Sequence, residues 1–200
     1  MSLACASGRQ LLGAHVFGGP LRVLLINAED TTLEIALRLR AAMQHHGLTD
    51  SNVPGLHVAG ADRLSIGLLT PDGVAAKFNA TGWAALTTEL DRVQPDVLVL
   101  DPLVSLMGGV SVNDNAAAAL LMGGLVALAP ERRISIMVAH HAAKGRDPLS
   151  AESAMGAASY VNLSRIGSGS SRWPRRTRHG WDSRLGRSSR YSALSALSKT

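Results

Sequence analysis

The 200-residue chain contains a single cysteine, Cys5, so no disulfide can form within it and packing alone must hold the fold. That usage fits a reducing, cytoplasmic setting, and Cys5 itself reads as a small buried residue on a helix. No run of about 18 apolar residues occurs, which excludes a helical membrane span. Met1 to Gly8 has no basic stretch before its apolar residues, which argues against a signal peptide. Lysine is scarce: Lys77, Lys144 and Lys199 are the only three, and none follows a glycine. A Gly-rich turn closing on Lys and Ser/Thr at the head of a helix, where backbone N–H groups cradle phosphate, is therefore not encoded here. Ser198-Lys199-Thr200 ends the chain and leaves no residues for such a helix.

The net charge of +5 is unevenly placed. Of the 20 basic and 15 acidic side chains, eight and one fall within residues 166–200, which carry +7. The first 165 residues hold 12 basic and 14 acidic groups and carry −2. The basic character belongs to the tail, so it says nothing about the partners of the body.

What is present is organised around Val97-Leu98-Val99-Leu100-Asp101. A short unbroken apolar run bounded by Pro95 and by Asp101-Pro102 reads as a strand buried on both faces, the kind found inside parallel sheets. Leu21 to Ile26 is a second such run and ends at Asn27-Ala28-Glu29-Asp30; Ile134 to Ala139 is a third and ends at His140-His141. Between them the period becomes helical. Leu33, Ala36, Leu37, Arg40 and Met43 follow a cap at Thr31 or Thr32, and Gly47 ends that helix. Ser2 to Ser7 suits a helix end stopping near Gly8, and Leu56 to Ala59 a short strand. Ser65 to Thr70 and Val74 to Phe78, around Pro71-Asp72-Gly73, predict a hairpin. Gly82 to Arg92 predicts a helix with Trp83, Leu86 and Leu90 on one face, and Ala116 to Ala129 another. The β-α-β-α-β alternation predicts an α/β fold with a mostly parallel sheet flanked by helices.

In open α/β sheets ligands lie beyond the carboxyl ends of the strands. Three such ends present Glu29-Asp30, Asp101 and His140-His141. Phosphoryl transfer from a nucleotide needs a magnesium ligand, a group that positions water, and polar or cationic groups around the γ-phosphate. Asp101 suits the first role, Glu29 the second, His140 or His141 the third, and Lys144 can reach phosphate or nucleic acid. Each has an alternative: Asp101 as a turn former, Glu29 as a helix cap, Lys144 as a solvated charge, and the His pair as zinc ligands. Adjacent residues on an extended segment point to opposite sides, which disfavours zinc.

Leu-Leu-Ile-Asn-Ala-Glu-Asp (24–30), Asp-Val-Leu-Val-Leu-Asp-Pro-Leu (96–103), Asn-Asp-Asn (113–115) and His-His-Ala-Ala-Lys-Gly (140–145) together resemble the AAA-type, RecA-like ATPases related to the plasmid replicative helicase RepA. The resemblance covers roughly residues 1–166. It implies a RecA-like P-loop NTPase core using ATP with Mg2+, hexamers in the full-length form, and action on DNA. By motif, Glu29 becomes the catalytic glutamate, Asp101 the Walker B aspartate and metal ligand, and His140 or His141 the phosphate-sensing strand end. Asp30, Lys144 and Arg165 become nucleotide-contacting residues. Met155 stands where the family often carries Arg, which leaves Arg165 as the arginine-finger candidate, with a solvated helix charge as its alternative.

The family's first strand and phosphate loop are missing from the sequence. Met1 to Ser7 falls where the helix after that loop continues, so Met1 is expected to be an internal start. After Ile166 the composition turns to Gly, Ser, Arg and Trp without a period, so residues 167–200 read as a separate basic tail. Back-translated one base earlier, Tyr191 to Thr200 can give Phe-Arg and Lys-Gln-Asn, similar to the family, so a frameshift is the preferred origin. The sequence therefore predicts part of an ATPase serving plasmid, phage or chromosomal DNA transactions, inactive as this chain. The alternative is a non-enzymatic nucleic-acid binder using the tail's phosphate contacts, with Trp173 and Trp181 stacking on bases; a metal-dependent hydrolase using Asp101, His140 and His141 is a third.

Overall fold

Val97 to Leu100 forms a strand buried on both faces, and the computed structural model, which describes residues 1–13, 15–140 and 160, places it inside the sheet. The elements run α1 (Ser2–Ser7), β1 (Val23–Asn27), α2 (Thr32–His45), β2 (Leu56–Ala59), β3 (Leu69–Asp72) and β4 (Ala75–Phe78). They continue through α3 (Ala80–Val93), β5 (Val97–Asp101), α4 (Leu103–Leu106), α5 (Asn115–Arg132) and β6 (Ser135–Val138). Four strands pair in parallel in the order β2-β1-β5-β6, while β3 and β4 form a separate antiparallel pair. The expected α/β architecture, a parallel sheet flanked by helices, is what the chain forms.

Alternation along the strands divides the core into two layers. Leu24, Ile26, Leu98 and Leu100 pack with Leu86 and Leu90 of α3 and Leu121 and Leu125 of α5. Val23, Leu25, Val97 and Val99 pack on the other face with Leu3 and Ala6 of α1 and Ile35 and Met43 of α2. At the strands' amino ends, the Arg22 N–H donates to Asp96 Oδ2 at 2.7 Å, while the two side chains pair at 3.5 Å.

Three expectations need correction. The helical series through Leu33 and Leu37 marks the outward face of α2, for both are more than half exposed. Ile35, Leu39 and Ala42 face the sheet instead, together with Met43 of the expected series, because Val23 and Leu25 lie beneath them. The hairpin strands begin later than expected: Pro71 and Asp72 belong to β3, and Asp72 pairs with Ala75. Only Gly73 and Val74 are left as the loop, where Gly73 takes the positive φ (64°) that so tight a connection requires. β6 is partly rather than fully buried, with Ser135 exposed, because among the described residues it is paired on one side only.

The start of α2 is bound from two directions. Thr31 accepts from the Glu34 N–H and Glu34 reaches back to the Thr31 N–H, a closed capping box. Asp62, beyond the end of β2, accepts from the Thr32 N–H at 2.6 Å and from its hydroxyl at 2.8 Å. Gly60 makes that approach feasible, since a Cβ there would lie 2.2 Å from the Thr32 nitrogen. The Thr32 N–H, then its hydroxyl, hold the Asp62 carboxyl below the ordinary carboxylate value. A depressed folded value stabilises fully above the unfolded value of about 4 and is lost as pH falls through the folded one. Asp62→Ala is therefore expected to cost a constant increment of stability near neutrality. In denaturant titrations at successive pH values, the gap to the unsubstituted protein should close below about pH 4.

Candidate functional site at the strand ends

Because β1, β5 and β6 are parallel and adjacent, their polar ends lie on one edge of the sheet. The chain leaves β1 into α2 on one face and leaves β5 into α4 and α5 on the other. Strand order reverses between β1 and β5, and the crevice outside their carboxyl ends is where an open α/β sheet takes its ligand. Asn27 and Asp101 are register partners at that point.

Asn27 is buried, and all of its side chain is engaged. Its Oδ1 accepts from the Glu29 N–H at 2.9 Å and the Asp30 N–H at 2.7 Å, folding the chain into a turn as it leaves β1. Its Nδ2 donates to Asp101 Oδ2 at 3.3 Å. The main chain repeats the link, with the Ala28 N–H donating to the Asp101 carbonyl at 2.8 Å. Asp101 is half-buried, and its Oδ1 meets no donor among the described residues. That oxygen suits a divalent ion that takes one protein carboxylate and completes its shell with phosphate and water. Among the described residues no group of three His, Cys, Asp or Glu could close a metal site, so one carboxylate would have to serve.

The structure brings together Asp101 and the Glu29-Asp30 turn, but the two acids of that turn differ. Glu29 is exposed on the crevice edge, and the capping of α2 falls to Thr31, Glu34 and Asp62, so the cap reading of Glu29 is set aside. Asp30 pairs with Arg38 of α2, one link at 3.2 Å and a second shorter, so its carboxylate already has a cation. His140 follows β6 one strand further over, its ring 5.2 Å from that of Tyr160 and tilted by 58°. Tyr160 is buried, and its hydroxyl donates to Met107 Sδ at 3.2 Å. Burial first, and the charge of Asp114 second, raise its phenol above the ordinary value, so it stays a neutral donor. His141, Lys144 and Arg165 lie outside the described residues. Asn27 is not among the site residues expected from the sequence. The signal was an uncharged polar residue closing an apolar strand, but its partner lies 74 residues away.

Parallel strands with helices on both faces, and carboxylates at a reversal of strand order, define the α/β nucleotide-binding class of fold. A family model described as an AAA domain matches residues 1–147, and the chain belongs to that family. No curated protein matches it. No helix among the described residues is long and apolar enough to cross a membrane.

The Asp30–Arg38 pair has one two-thirds-exposed partner, and such pairs contribute little. Arg38→Ala is expected to change unfolding free energy by less than about 1 kcal/mol, measured by denaturant titration.

Proposed function

We propose that this AAA domain is the hydrolytic core of a RecA-like, RepA-related ATPase that serves DNA transactions in the cytoplasm. The observation that carries the reading is the placement of Asp101 and the Glu29 turn on adjacent parallel strand ends, where strand order reverses. Asp101 is the residue that would hold Mg2+, which when bound neutralises phosphate charge during transfer. Glu29, exposed on the turn that Asn27 ties to Asp101, is suited to orient the attacking water. His140 offers a polar contact one strand away. His141, Lys144 and Arg165 remain in the proposal as phosphate-contacting residues on sequence grounds, and a hexamer and DNA as partners of the longer protein. Asp30, already paired with Arg38, contributes to the turn's position.

The 200 residues contain no Gly-Lys-Ser/Thr cradle. Phosphate affinity in such sites comes largely from backbone N–H groups and the lysine of that loop. Calorimetric titration with Mg2+ and ATP is therefore expected to show binding no tighter than millimolar, and micromolar affinity would overturn the inactivity proposed for this chain.

The +7 charge of residues 166–200 favours a second reading, nucleic-acid binding by phosphate contacts. Deleting residues 167–200 tests it in a filter-binding assay across a salt series. Loss of salt-dependent DNA binding, with no ATPase in either form, selects the binder; unchanged DNA binding eliminates it.

A further inference from the structure

Asn27 is one of two buried polar or charged residues among the described ones, and the other, Ser7, serves the end of α1. Its hydrogen bonds fix which way its amide points. The oxygen faces two N–H donors and the nitrogen faces a carboxylate, so turning the amide over would set donor against donor and acceptor against acceptor. A planar amide held in this way is a rigid spacer between the Asp101 side chain and the backbone on which Glu29 stands.

We propose that Asn27 is a positioning residue that couples the Asp101 carboxylate to the Glu29 turn, so that the two strand ends respond as one unit. Its value to function rests on the reading of Asp101 and Glu29 as the working carboxylates of an ATPase. The coupling itself belongs to the chain and is present without metal or nucleotide. Any shift of the Asp101 carboxylate pulls on Nδ2, and the same rigid group moves the acceptor of the Glu29 and Asp30 N–H groups. A residue at position 27 that kept only Oδ1 would hold the turn but lose the link.

Amide hydrogen exchange at Glu29 and Asp30, read by NMR on the full chain without metal or nucleotide, tests this. Asn27→Ala removes the shared acceptor and is expected to speed exchange at both amides at least about fivefold. Asn27→Asp keeps the acceptor, so protection is expected to remain. The deciding substitution is Asp101→Ala. Beside the native Asn27 it should speed exchange at Glu29 and Asp30, and in the Asn27→Ala background it should add nothing. In the Asn27→Asp background it should slow exchange, because it removes a like charge facing the new carboxylate.

That reversal of sign is not available to a residue with a purely structural role. An Asp101→Ala effect of the same size in all three backgrounds, or no effect beside Asn27, overturns the coupling. Should Asn27→Ala not fold, the Asn27 and Asn27→Asp backgrounds still give opposite signs or do not. Failure of the ATPase reading would appear as Mn2+ and ATP binding away from the crevice between β1 and β5 and leaves these exchange rates unchanged, so the two ideas fail separately.

Discussion

The parallel pairing of β1 with β5 is the constraint on which the other features depend. Both strands are buried along nearly their whole length, so every backbone group must find its partner in the sheet and every side chain its place in one of two apolar layers. The register is held at both ends by polar groups: Arg22 with Asp96 where the strands enter, Asn27 with Asp101 where they leave. A slip by one residue would exchange the faces of Leu98 and Val99 and separate Asn27 from Asp101 together. Fold and candidate site are thus specified by the same four residue-to-residue pairings that join Val23–Ile26 to Val97–Leu100, extended by one polar pair.

That extension explains how charged groups are tolerated against so apolar a core. Asp101 stands where burial is already falling, with one oxygen on an amide donor and the other open toward the crevice. Glu29 and Asp30 are lifted off the strand by a turn, and Arg38 and the capping box of α2 absorb the remaining polar demand nearby. Gly60 and Asp62 bring the end of β2 into the same construction. The result is an edge at which Asp101 and the Glu29 turn are tied together through the Asn27 amide, while Asp30 is held by its ion pair with Arg38.

Much of this was legible in the sequence wherever a feature is local. The Val97–Leu100 run, the short Leu56–Ala59 strand, the helix expected from Ala116 and the Gly8 stop each depend on neighbours within a few residues, and they form as expected. Legibility failed where a distant partner decides. α2 offered two apolar series, and only the presence of Val23 and Leu25 beneath Ile35 and Leu39 selects between them. β6 has the composition of an interior strand but pairs on one side among the described residues. The same cause hid Asn27, whose role exists only once β1 and β5 are aligned. Asp30 and Glu29 look equivalent in the chain, and Arg38, one helical turn into α2 and beyond, separates them. For His141, Lys144 and Arg165, which lie outside the described residues, the sequence alone carries the expectation.

The crevice between β1 and β5 is the place proposed here for metal and phosphate. Paramagnetic line broadening by Mn2+, added with millimolar ATP to isotopically labelled full chain, maps that location residue by residue. The amides of Asn27 to Asp30, Asp101 and Leu103 are expected to broaden first, and Asp101→Asn to diminish the effect. Broadening centred instead on the cavity lined by Val58 of β2, Arg63, and Arg92 of α3, or confined to residues 167–200 with the crevice untouched, would contradict that placement.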